Sequence, residues 1–231
     1  MINYIDLKTK DYKETWDLQE ELYNKIINTK LHNRNNPSHR RNIENKLLFV
    51  EHPHVYTLGK SGSRDNLLIH DKFLEQIDAT YYKTNRGGDI TYHGPGQIVG
   101  YPIIDLEQYN IQVKRYIFLL EQCIIDTIAE YGLKGDRLEG ATGVWLDTGT
   151  PHVRKICAIG VKASRFVTMH GFALNVNTDL KYFSYINPCG FIDKGVTSME
   201  KELNAPIEIE KIKLVLKNNI MNTFDNCEKL L

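Results

Sequence analysis

The sequence predicts a mixed α/β (α+β) fold, a β-sheet with flanking helices, in a single domain over residues 1–231. Two observations predict it. Short β-rich runs recur along the chain, and three long segments with apolar residues at helical spacing are interleaved with them. A chain of 231 residues can bury one hydrophobic core of ordinary size.

Composition argues against several classes of protein. Hydrophobic residues make up 42% of the chain, charged residues 25%, and the formal net charge is zero. A neutral chain is not expected to bind nucleic acid or a membrane surface through bulk charge. No signal peptide begins the sequence, and no apolar run approaches the roughly 18 residues of a membrane-spanning helix. The four cysteines form no CxxC pair or disulfide framework, so we expect reduced thiols in a cytoplasmic protein.

The N-terminal half begins with a helix and continues with strands. Residues from Asp11 to about Lys30 are predicted to be helical, with Asp11 and Glu14 at capping-box spacing. The polar, proline-containing stretch Asn33–Asn45 is predicted to be a loop. Strands are predicted at Leu47–Glu51, Val55–Leu58, Thr80–Thr84 and Ile98–Asp105. The first two, separated by three residues, are expected to pair with each other.

The C-terminal half contains the two other helices. The clearer one is Val113–Tyr131, whose apolar stripe ends before Gly132, where a C-terminal cap belongs. The last amphipathic helix spans about Ile207 to Phe224. Between them, strands are predicted at Val144–Leu146, Ile156–Ala163 and Val167–Val176.

The stretch Arg86–Gln97 carries the strongest functional signal. Its twelve residues hold four glycines together with a histidine, an arginine and a tyrosine. Glycine at this density lets the backbone adopt positive φ angles and lets a ligand approach the main chain. A simple turn needs only one or two such residues, so we interpret the stretch as a wall of a binding site.

This stretch resembles the signature of the octanoyltransferases of lipoate biosynthesis, the lipoyl(octanoyl) acyl-carrier-protein:protein transferases. Further blocks in the family's order are Glu51–Gly59, Arg154–Val161, Met169–Val176 and Ile186–Gly190. The resemblance covers nearly everything from about Leu47 to Leu203. It implies a fold similar to the catalytic domain of the biotin and lipoate protein ligases.

The resemblance also implies a reaction and its partners. An octanoyl or lipoyl group passes from acyl carrier protein to a lysine of a lipoyl domain, through a cysteine acyl-enzyme. The implied acceptors are the lipoyl domains of 2-oxoacid dehydrogenase complexes and the glycine cleavage H protein. No cofactor is expected, because an acyl group on a carrier thioester is already activated and needs no ATP.

Cys189 is the candidate nucleophile. It lies between a proline and a glycine, whereas Cys123 and Cys157 lie inside a predicted helix and a predicted strand. On the residues alone, a spectator thiol remains a full alternative. The resemblance favours the acyl-accepting role, because the family's cysteine lies in the same proline-cysteine-glycine setting.

Lys155 is the candidate partner of that thiol, because a nucleophilic cysteine needs a nearby cation or base. A lysine at the start of an apolar strand is most often a solvated charge. The family, however, places its catalytic lysine in this lysine-x-x-alanine-isoleucine-glycine block, 34 residues before its cysteine, and the same separation joins Lys155 to Cys189. The family usually has alanine where this chain has Cys157, a change small enough that we expect the same mechanism.

Two histidines and several glycines complete the predicted site. His93 and His170 either orient loops or contact substrate directly, and the sequence leaves both roles open. The glycines would let the backbone line a narrow slot and present N–H groups to a thioester oxygen. The residues expected to bind substrate are Arg86, Gly87, Gly88, Asp89, Ile90, Thr91, Tyr92, His93, Ala158, Ile159, Gly160, His170, Gly171, Phe172 and Ala173.

Two other motifs are discounted. Gly59-Lys60-Ser61 ends like a phosphate-binding loop, but His54 stands where that loop requires glycine. His52 and His54 have no accompanying set of ligands at zinc spacing, so no metal site is expected.

Three alternative functions stay open. An ATP-dependent lipoate or biotin ligase would need no cysteine nucleophile. A cysteine hydrolase would pair its thiol with a histidine, for which His93 and His170 are candidates. A scaffold that binds acyl carrier protein would not need Cys189 at all.

A basic docking surface is expected despite the zero net charge. Acyl carrier proteins are strongly acidic, and five basic residues lie in loops that flank the first two predicted strands. They are Arg34, Arg40, Arg41, Lys60 and Arg64. The alternative is a solvated loop with no partner.

Overall fold

The computed structural model describes residues 2–187 and 195–227. Its strands, in chain order, are β1 (Ile2–Thr9), β2 (Asn45–Glu51), β3 (Val55–Leu58), β4 (Thr80–Lys83), β5 (Ile90–His93), β6 (Gln97–Ile103), β7 (Asp136–Leu138), β8 (Ala141–Leu146), β9 (Arg154–Ser164), β10 (Val167–Asn175) and β11 (Gly195–Val196). Its α-helices are α1 (Tyr12–Asn35), α2 (Asp71–Gln76), α3 (Val113–Ala129), α4 (Met199–Leu203) and α5 (Ile209–Asp225).

The strands form two sheets. The larger has the order β1-β2-β6-β10-β9-β8-β7, and β11 adds to β9. Within it β1–β2 and β9–β11 are parallel and the other neighbours are antiparallel. The smaller sheet has the order β4-β3-β5. The predicted mixed sheet is confirmed, and it is divided in two.

The larger sheet lies between two helical layers. Successive side chains of a strand point to opposite faces, and β2 shows this clearly. Leu47 and Phe49 join the cluster formed with α3 and α5, whereas Leu48 and Val50 join the cluster formed with α1. Both faces of β2 are therefore buried, which explains why its sequence is an unbroken apolar run.

The predicted pairing of Leu47–Glu51 with Val55–Leu58 is wrong. Both edges of β2 are hydrogen-bonded, one to β1 and the other to β6, and β3 pairs with β4 and β5 in the smaller sheet. The change of sheet occurs at His52 and Pro53. The buried His52 ring bonds to the main chain after β1 and to a tyrosine of β6, and Pro53 has no N–H with which to extend a ladder.

Helix α1 confirms its predicted start and runs past its predicted end. The Asp11 side chain caps it by accepting a hydrogen bond from the backbone N–H of Glu14, at 3.1 Å. The helix continues to Asn35 and not to Lys30, so the predicted loop after it is shorter. Lys30 forms an ion pair with Asp105, which ties the last turns to the sheet.

Six short or N-terminal elements were not predicted from the sequence: β1, β5, β7, β11, α2 and α4. Apart from β1 these elements have six residues or fewer, too few to show a periodic pattern. Within the ranges that the structure covers, no helix is long and apolar enough to span a membrane.

Candidate active site

A cavity of about 610 Å³ lies where the glycine-rich loop, residues 86–89, and β5 meet β9 and β10. A hydrogen bond of 2.9 Å from the Gly87 N–H to the Val161 carbonyl joins the loop to β9. Of the fifteen residues expected to bind substrate, thirteen border this cavity: Arg86, Gly88, Asp89, Ile90, Thr91, His93, Ala158, Ile159, Gly160, His170, Gly171, Phe172 and Ala173. The fold thus brings together two blocks that are about seventy residues apart in the sequence.

Gly87 and Tyr92 do not border the cavity. The Tyr92 ring stacks on Tyr182 at 4.8 Å, and its hydroxyl bonds to His54 Nδ1 at 2.7 Å. Because neighbouring side chains of β5 point to opposite faces, Thr91 and His93 are directed to the cavity and Tyr92 is directed away. The alternation, read from the sequence, would have separated them.

Arg86 holds the glycine-rich loop in place. Its buried guanidinium donates to the Thr57 side chain at 3.2 Å and to the main-chain carbonyls of Thr57, Gly87 and Asp89 at 2.5, 2.9 and 2.6 Å. Burial lowers the pKa of the guanidinium. Its donors are shared between Thr57 of β3 and the carbonyls of its own loop, so Arg86 ties this wall of the cavity to the smaller sheet.

Two close approaches require glycine in this region. A Cβ atom at Gly59 would lie 2.2 Å from the Gly88 carbonyl oxygen, and one at Gly160 would lie 2.8 Å from the Gly87 carbonyl oxygen. Gly88 itself has a φ of +84°. The loop can therefore pack directly against β9, as the glycine density predicts.

Lys155 lies on β9 and borders the cavity. Its Nζ is 4.5 Å from the centre of the Trp145 ring, a residue that pairs with it across β8 and β9. Burial, assisted by the positive charge of Arg86, lowers the pKa of Lys155 from 10.5 to about 8. A lysine with this pKa can both release and accept a proton near neutral pH.

The two cavity histidines are neutral near physiological pH. Burial lowers the pKa of His93 to about 3 and that of His170 to about 3. His93 bonds through Nδ1 to Gln97 Oε1 at 2.9 Å, and His170 bonds through Nε2 to Asn85 Oδ1 at 2.7 Å. Both side chains orient neighbouring groups, and neither is suited to act as a base near pH 7.

His170 also interrupts the ladder between β6 and β10. Continuing the register beyond its last pair, Phe172–Gly100, would bring His170 opposite Pro102, which cannot donate a backbone hydrogen bond, and the φ of His170 is +59°. Instead of pairing with β6, the His170 N–H donates to the side-chain oxygen of Gln19 in α1 at 3.0 Å. The buried Nδ1 of His170 has no hydrogen-bond partner in residues 2–187 and 195–227. With its proton on Nε2, facing the Asn85 oxygen, the ring keeps Nδ1 as an acceptor.

Cys189 lies outside the described residues. On either side of it in the sequence, Asn187 and Gly195 border the cavity, and β11 pairs with β9 at the position of Lys155. Cys123 and Cys157 are fully buried in α3 and β9, as predicted. Burial raises the pKa of both thiols, that of Cys123 to about 12, so they remain protonated.

Sequence reasoning missed several residues that line the cavity. Gln97 and Asn175 belong to blocks that it had identified, so a wider reading of those blocks would have found them. Others come from distant segments without any local signal: Tyr12, Tyr101, Trp145, Leu180, Phe183 and Lys201.

The segment Gly59-Lys60-Ser61, which ends like a phosphate-binding loop, forms hydrogen bonds to the glycine-rich loop. Its three N–H groups donate to the carbonyls of Asp89, Arg86 and Gly88, at 3.0 to 3.1 Å. These donors are therefore not available to cradle a phosphate. Among the residues that the structure describes, no group of three or more His, Cys, Asp or Glu side chains could hold a metal ion.

Comparison with protein families gives one match over most of the chain, the lipoyl protein ligase A/B catalytic domain, over residues 11–221. The chain is 56% identical to an octanoyltransferase of Flavobacterium johnsoniae over 225 residues, which cover 95% of each protein. An octanoyltransferase of Bacteroides thetaiotaomicron is 51% identical over 209 residues, 90% of this chain and 89% of that protein.

Solved structures share the fold at low sequence identity. A bi-partite lipoate protein ligase from Thermoplasma acidophilum superposes with a TM-score of 0.69 at 14% identity, covering 96% of this chain and 83% of that one. Biotin protein ligase from Aquifex aeolicus gives a TM-score of 0.52 at 11% identity, with 98% and 71% covered. The predicted similarity to the biotin and lipoate ligase fold is confirmed.

Proposed function

The chain belongs to the lipoyl protein ligase A/B catalytic domain family and catalyses octanoyl transfer in protein lipoylation; we propose that acyl carrier protein is the donor and that Cys189 carries the octanoyl group as a thioester. The acceptors are lysines of lipoyl domains. We further propose that these domains belong to 2-oxoacid dehydrogenase complexes and to the glycine cleavage H protein.

One observation carries this proposal. A single cavity is bordered by a lysine whose pKa lies near 8 and by the residues that precede and follow the Cys189 segment, Asn187 and Gly195. Cys189 follows Asn187 by two residues, and two residues of extended chain span about 7 Å. We therefore propose that the Cys189 thiol reaches this cavity.

In the first step the Cys189 thiolate attacks the thioester carbonyl of the donor. The new sulfur–carbon bond replaces the one to the carrier's pantetheine, which leaves as a thiolate and takes a proton from the Lys155 ammonium, so that Lys155 is then neutral. Lys155, as an ammonium, favours the thiolate over the thiol. Exchange of one thioester for another is nearly isoenergetic, so no ATP is required.

In the second step the ε-amine of the acceptor lysine attacks the Cys189 thioester. The nitrogen–carbon bond forms, the sulfur–carbon bond breaks, and the amine loses a proton to neutral Lys155. A pKa near 8 suits both steps, because the ammonium and the amine are both populated near neutral pH.

The acyl chain would occupy the apolar part of the cavity. Each buried methylene contributes ~0.8 kcal/mol, so the chain would supply roughly 5 kcal/mol of binding. Neighbouring chain lengths differ by only ~1–3 kcal/mol, so we expect them to be accepted at lower efficiency.

Two observations disfavour the competing enzymes. The two ligases share only the fold with this chain, at 14% and 11% identity, whereas the two octanoyltransferases are 56% and 51% identical to it. A cysteine hydrolase would use a basic histidine beside the thiol, but burial lowers the pKa of His93 and His170 to about 3.

The five expected docking residues lie in two parts of the chain: Arg34, Arg40 and Arg41 at or after the C-terminal end of α1, and Lys60 and Arg64 after β3. The Arg41 backbone bonds to the Asn33 side chain at 2.7 Å, at the C-terminal end of α1. Tyr12, which borders the cavity, begins the same helix, about 30 Å away at 1.5 Å per residue. Exposed Lys60, in contrast, donates its backbone N–H to Arg86 in the glycine-rich loop at 3.0 Å. We assign donor docking to Lys60.

Charge reversal tests this assignment with a matched pair of variants. Lys60→Glu should raise KM for octanoyl acyl carrier protein and leave KM for a small octanoyl thioester unchanged, and the effect should weaken as salt is added. Arg40→Glu, in the loop that follows the far end of α1, should change neither. The reverse pattern would return the docking surface to the arginine cluster.

Intact-mass analysis tests the covalent mechanism. Wild-type protein mixed with octanoyl acyl carrier protein, without ATP, should gain one octanoyl group and lose it when a lipoyl domain is added. Cys189→Ser should form no productive adduct and lose transfer by orders of magnitude. If the wild-type mass does not change, or the label maps to another cysteine, the proposal is wrong.

A further inference from the structure

We propose that Thr57, His93, Gln97 and Asn175 are positioning residues for the transfer reaction: they form a one-directional chain of hydrogen bonds along the cavity wall that fixes the strand after the Cys189 segment against Lys155. The role of these residues in catalysis rests on the proposed function. The hydrogen-bond chain itself consists only of contacts among described residues.

The chain begins at Arg86 and ends at the Thr197 carbonyl. Arg86 Nε donates to Thr57 Oγ1 at 3.2 Å, and Thr57 Oγ1 lies 3.3 Å from His93 Nε2. His93 Nδ1 is 2.9 Å from Gln97 Oε1. From there, Gln97 Nε2 donates to Asn175 Oδ1 at 2.8 Å, and the last link joins Asn175 Nδ2 to the Thr197 carbonyl at 2.9 Å.

Two backbone carbonyls fix the direction of every link. A carbonyl can only accept, so Gln97 must turn its Nε2 toward the Tyr92 carbonyl, 3.2 Å away, and Asn175 must turn its Nδ2 toward the Thr197 carbonyl. Gln97 Oε1 then faces His93, so the His93 proton is on Nδ1. His93 Nε2 is left to accept from the Thr57 hydroxyl.

Burial keeps the chain in this single state. From Arg86 to Thr197, every member is at most 8% exposed, so water does not compete for the links. Burial lowers the pKa of His93 to about 3, and the ring stays neutral across the working pH range. A fully satisfied buried network of this kind selects one arrangement of the groups that it joins.

The hydrogen-bond chain ends at Thr197, beside Lys155. Thr197 is held from three sides: its N–H donates to the Lys155 carbonyl at 2.9 Å, its carbonyl accepts from Asn175, and its hydroxyl donates to Glu202 at 2.5 Å. Arg154 grips the same Glu202 carboxylate with two hydrogen bonds. Thr197 is therefore fixed directly beside the main chain of Lys155.

The position of the chain distinguishes a catalytic purpose from a merely stabilising one. Arg86, His93, Gln97 and Asn175 all border the cavity, so the network connects the glycine-rich wall to the end of the Cys189 segment. Misplacement of reacting groups by about 1 Å costs on the order of 10²-fold in rate. Breaking one link should therefore lower kcat more than it raises KM.

The test replaces Asn175 with aspartate, which keeps its size and its acceptor for Gln97 but removes the donor to Thr197. Asn177 supplies the control, because its side chain donates to the Ile207 carbonyl at 2.7 Å and accepts the Ile207 N–H at 2.9 Å, away from the cavity. Asn175→Asp should lower kcat on the order of 10²-fold with little change in KM. It should also accelerate hydrogen exchange at the Thr197 amide, whereas Asn177→Asp should do neither.

Gln97→Glu removes the donor to Asn175 Oδ1, the preceding link. This second variant keeps the inference testable if Asn175→Asp fails to fold. Combined with Asn175→Asp it should lower kcat no further than the worse single change, because both act on one chain. Unchanged kcat or unchanged Thr197 exchange in Asn175→Asp would overturn the inference, as would an equal effect of Asn177→Asp. The exchange measurement needs no substrate, so a wild-type protein that fails to take up octanoyl would contradict only the proposed function.

Discussion

Two walls of the cavity each carry a buried titratable group: His93 on the glycine-rich wall, residues 86–97, and Lys155 on the β9 wall. Burial lowers the pKa of both groups, but the consequences for their chemistry are opposite. Burial disfavours a positive charge, so it lowers the pKa of a histidine and of a lysine alike. On one wall the pKa of His93 falls from 6.5 to about 3. On the other, the pKa of Lys155 falls from 10.5 to about 8.

The starting values decide what each group can do. A histidine begins near neutrality, and burial removes it from the range in which it could exchange protons at pH 7. A lysine begins far above neutrality, and the same burial brings it into that range. A neutral, fixed scaffold and an active proton carrier therefore arise from one physical cause.

Acidification should unfold the protein through its buried histidines. Burial lowers the pKa of His52 to about 4 and those of His93 and His170 to about 3. Below pH 6.5 the unfolded chain binds protons that the folded chain does not, so the free energy of unfolding decreases as the pH is lowered. Each histidine contributes up to about 1.4 kcal/mol per pH unit until its folded pKa is reached.

Urea unfolding at a series of pH values from 7 to 4 measures this slope. His93→Asn should make it shallower, because one proton-binding difference disappears. His152→Asn, at an exposed position, should leave it unchanged. Equal slopes in wild type and His93→Asn would show that His93 becomes protonated within the fold.

Replacing Lys155 should have the second-largest effect. The single-turnover rate of octanoyl transfer should fall roughly 10²–10⁴-fold, the range for loss of a positioned acid or base. Lys155→Met keeps an unbranched apolar side chain beside Trp145, one atom shorter than lysine, and removes the charge. Lys162→Met, on the same strand with its Nζ 4.8 Å from the centre of the Tyr23 ring, is the matched control. If both variants transfer octanoyl at similar rates, the assignment of Lys155 fails.

The titration of Lys155 should also be visible in stability at high pH. Between pH 8 and 10.5 the unfolded lysine carries a proton that the folded one lacks, so stability rises through this window and the penalty is complete below pH 8. The expected rise is up to about 1.4 kcal/mol per pH unit. The difference between wild type and Lys155→Met, measured by urea unfolding from pH 7.5 to 10, isolates it. A flat difference would place the folded pKa near 10.5.

The sequence predicted the parts of this site that depend on continuous segments. The glycine density of residues 86–96 was sufficient to identify one wall, and the family resemblance of residues 154–161 and 169–176 supplied the other. The sequence could not show that β2 and β3 belong to different sheets, because their separation depends on β1, a strand that precedes the first predicted element. It also could not provide the pKa of Lys155, which depends on burial against Trp145 from a separate strand.

Cys157 should have the smallest effect, and it tests whether the β9 wall acts through Lys155 alone. Its thiol is fully buried two residues from Lys155, and burial raises its pKa well above the usual range, so it carries no charge that could tune the lysine. Cys157→Ala removes one sulfur atom and should cost about 1 kcal/mol of stability, with transfer rate and the pH dependence of transfer unchanged. Kinetics of octanoyl transfer from pH 6.5 to 9.5 provide the measurement. A shifted inflection near pH 8 in the variant would mean that the thiol is partly ionised beside Lys155, and a loss as large as that of Cys189→Ser would identify Cys157 as the nucleophile.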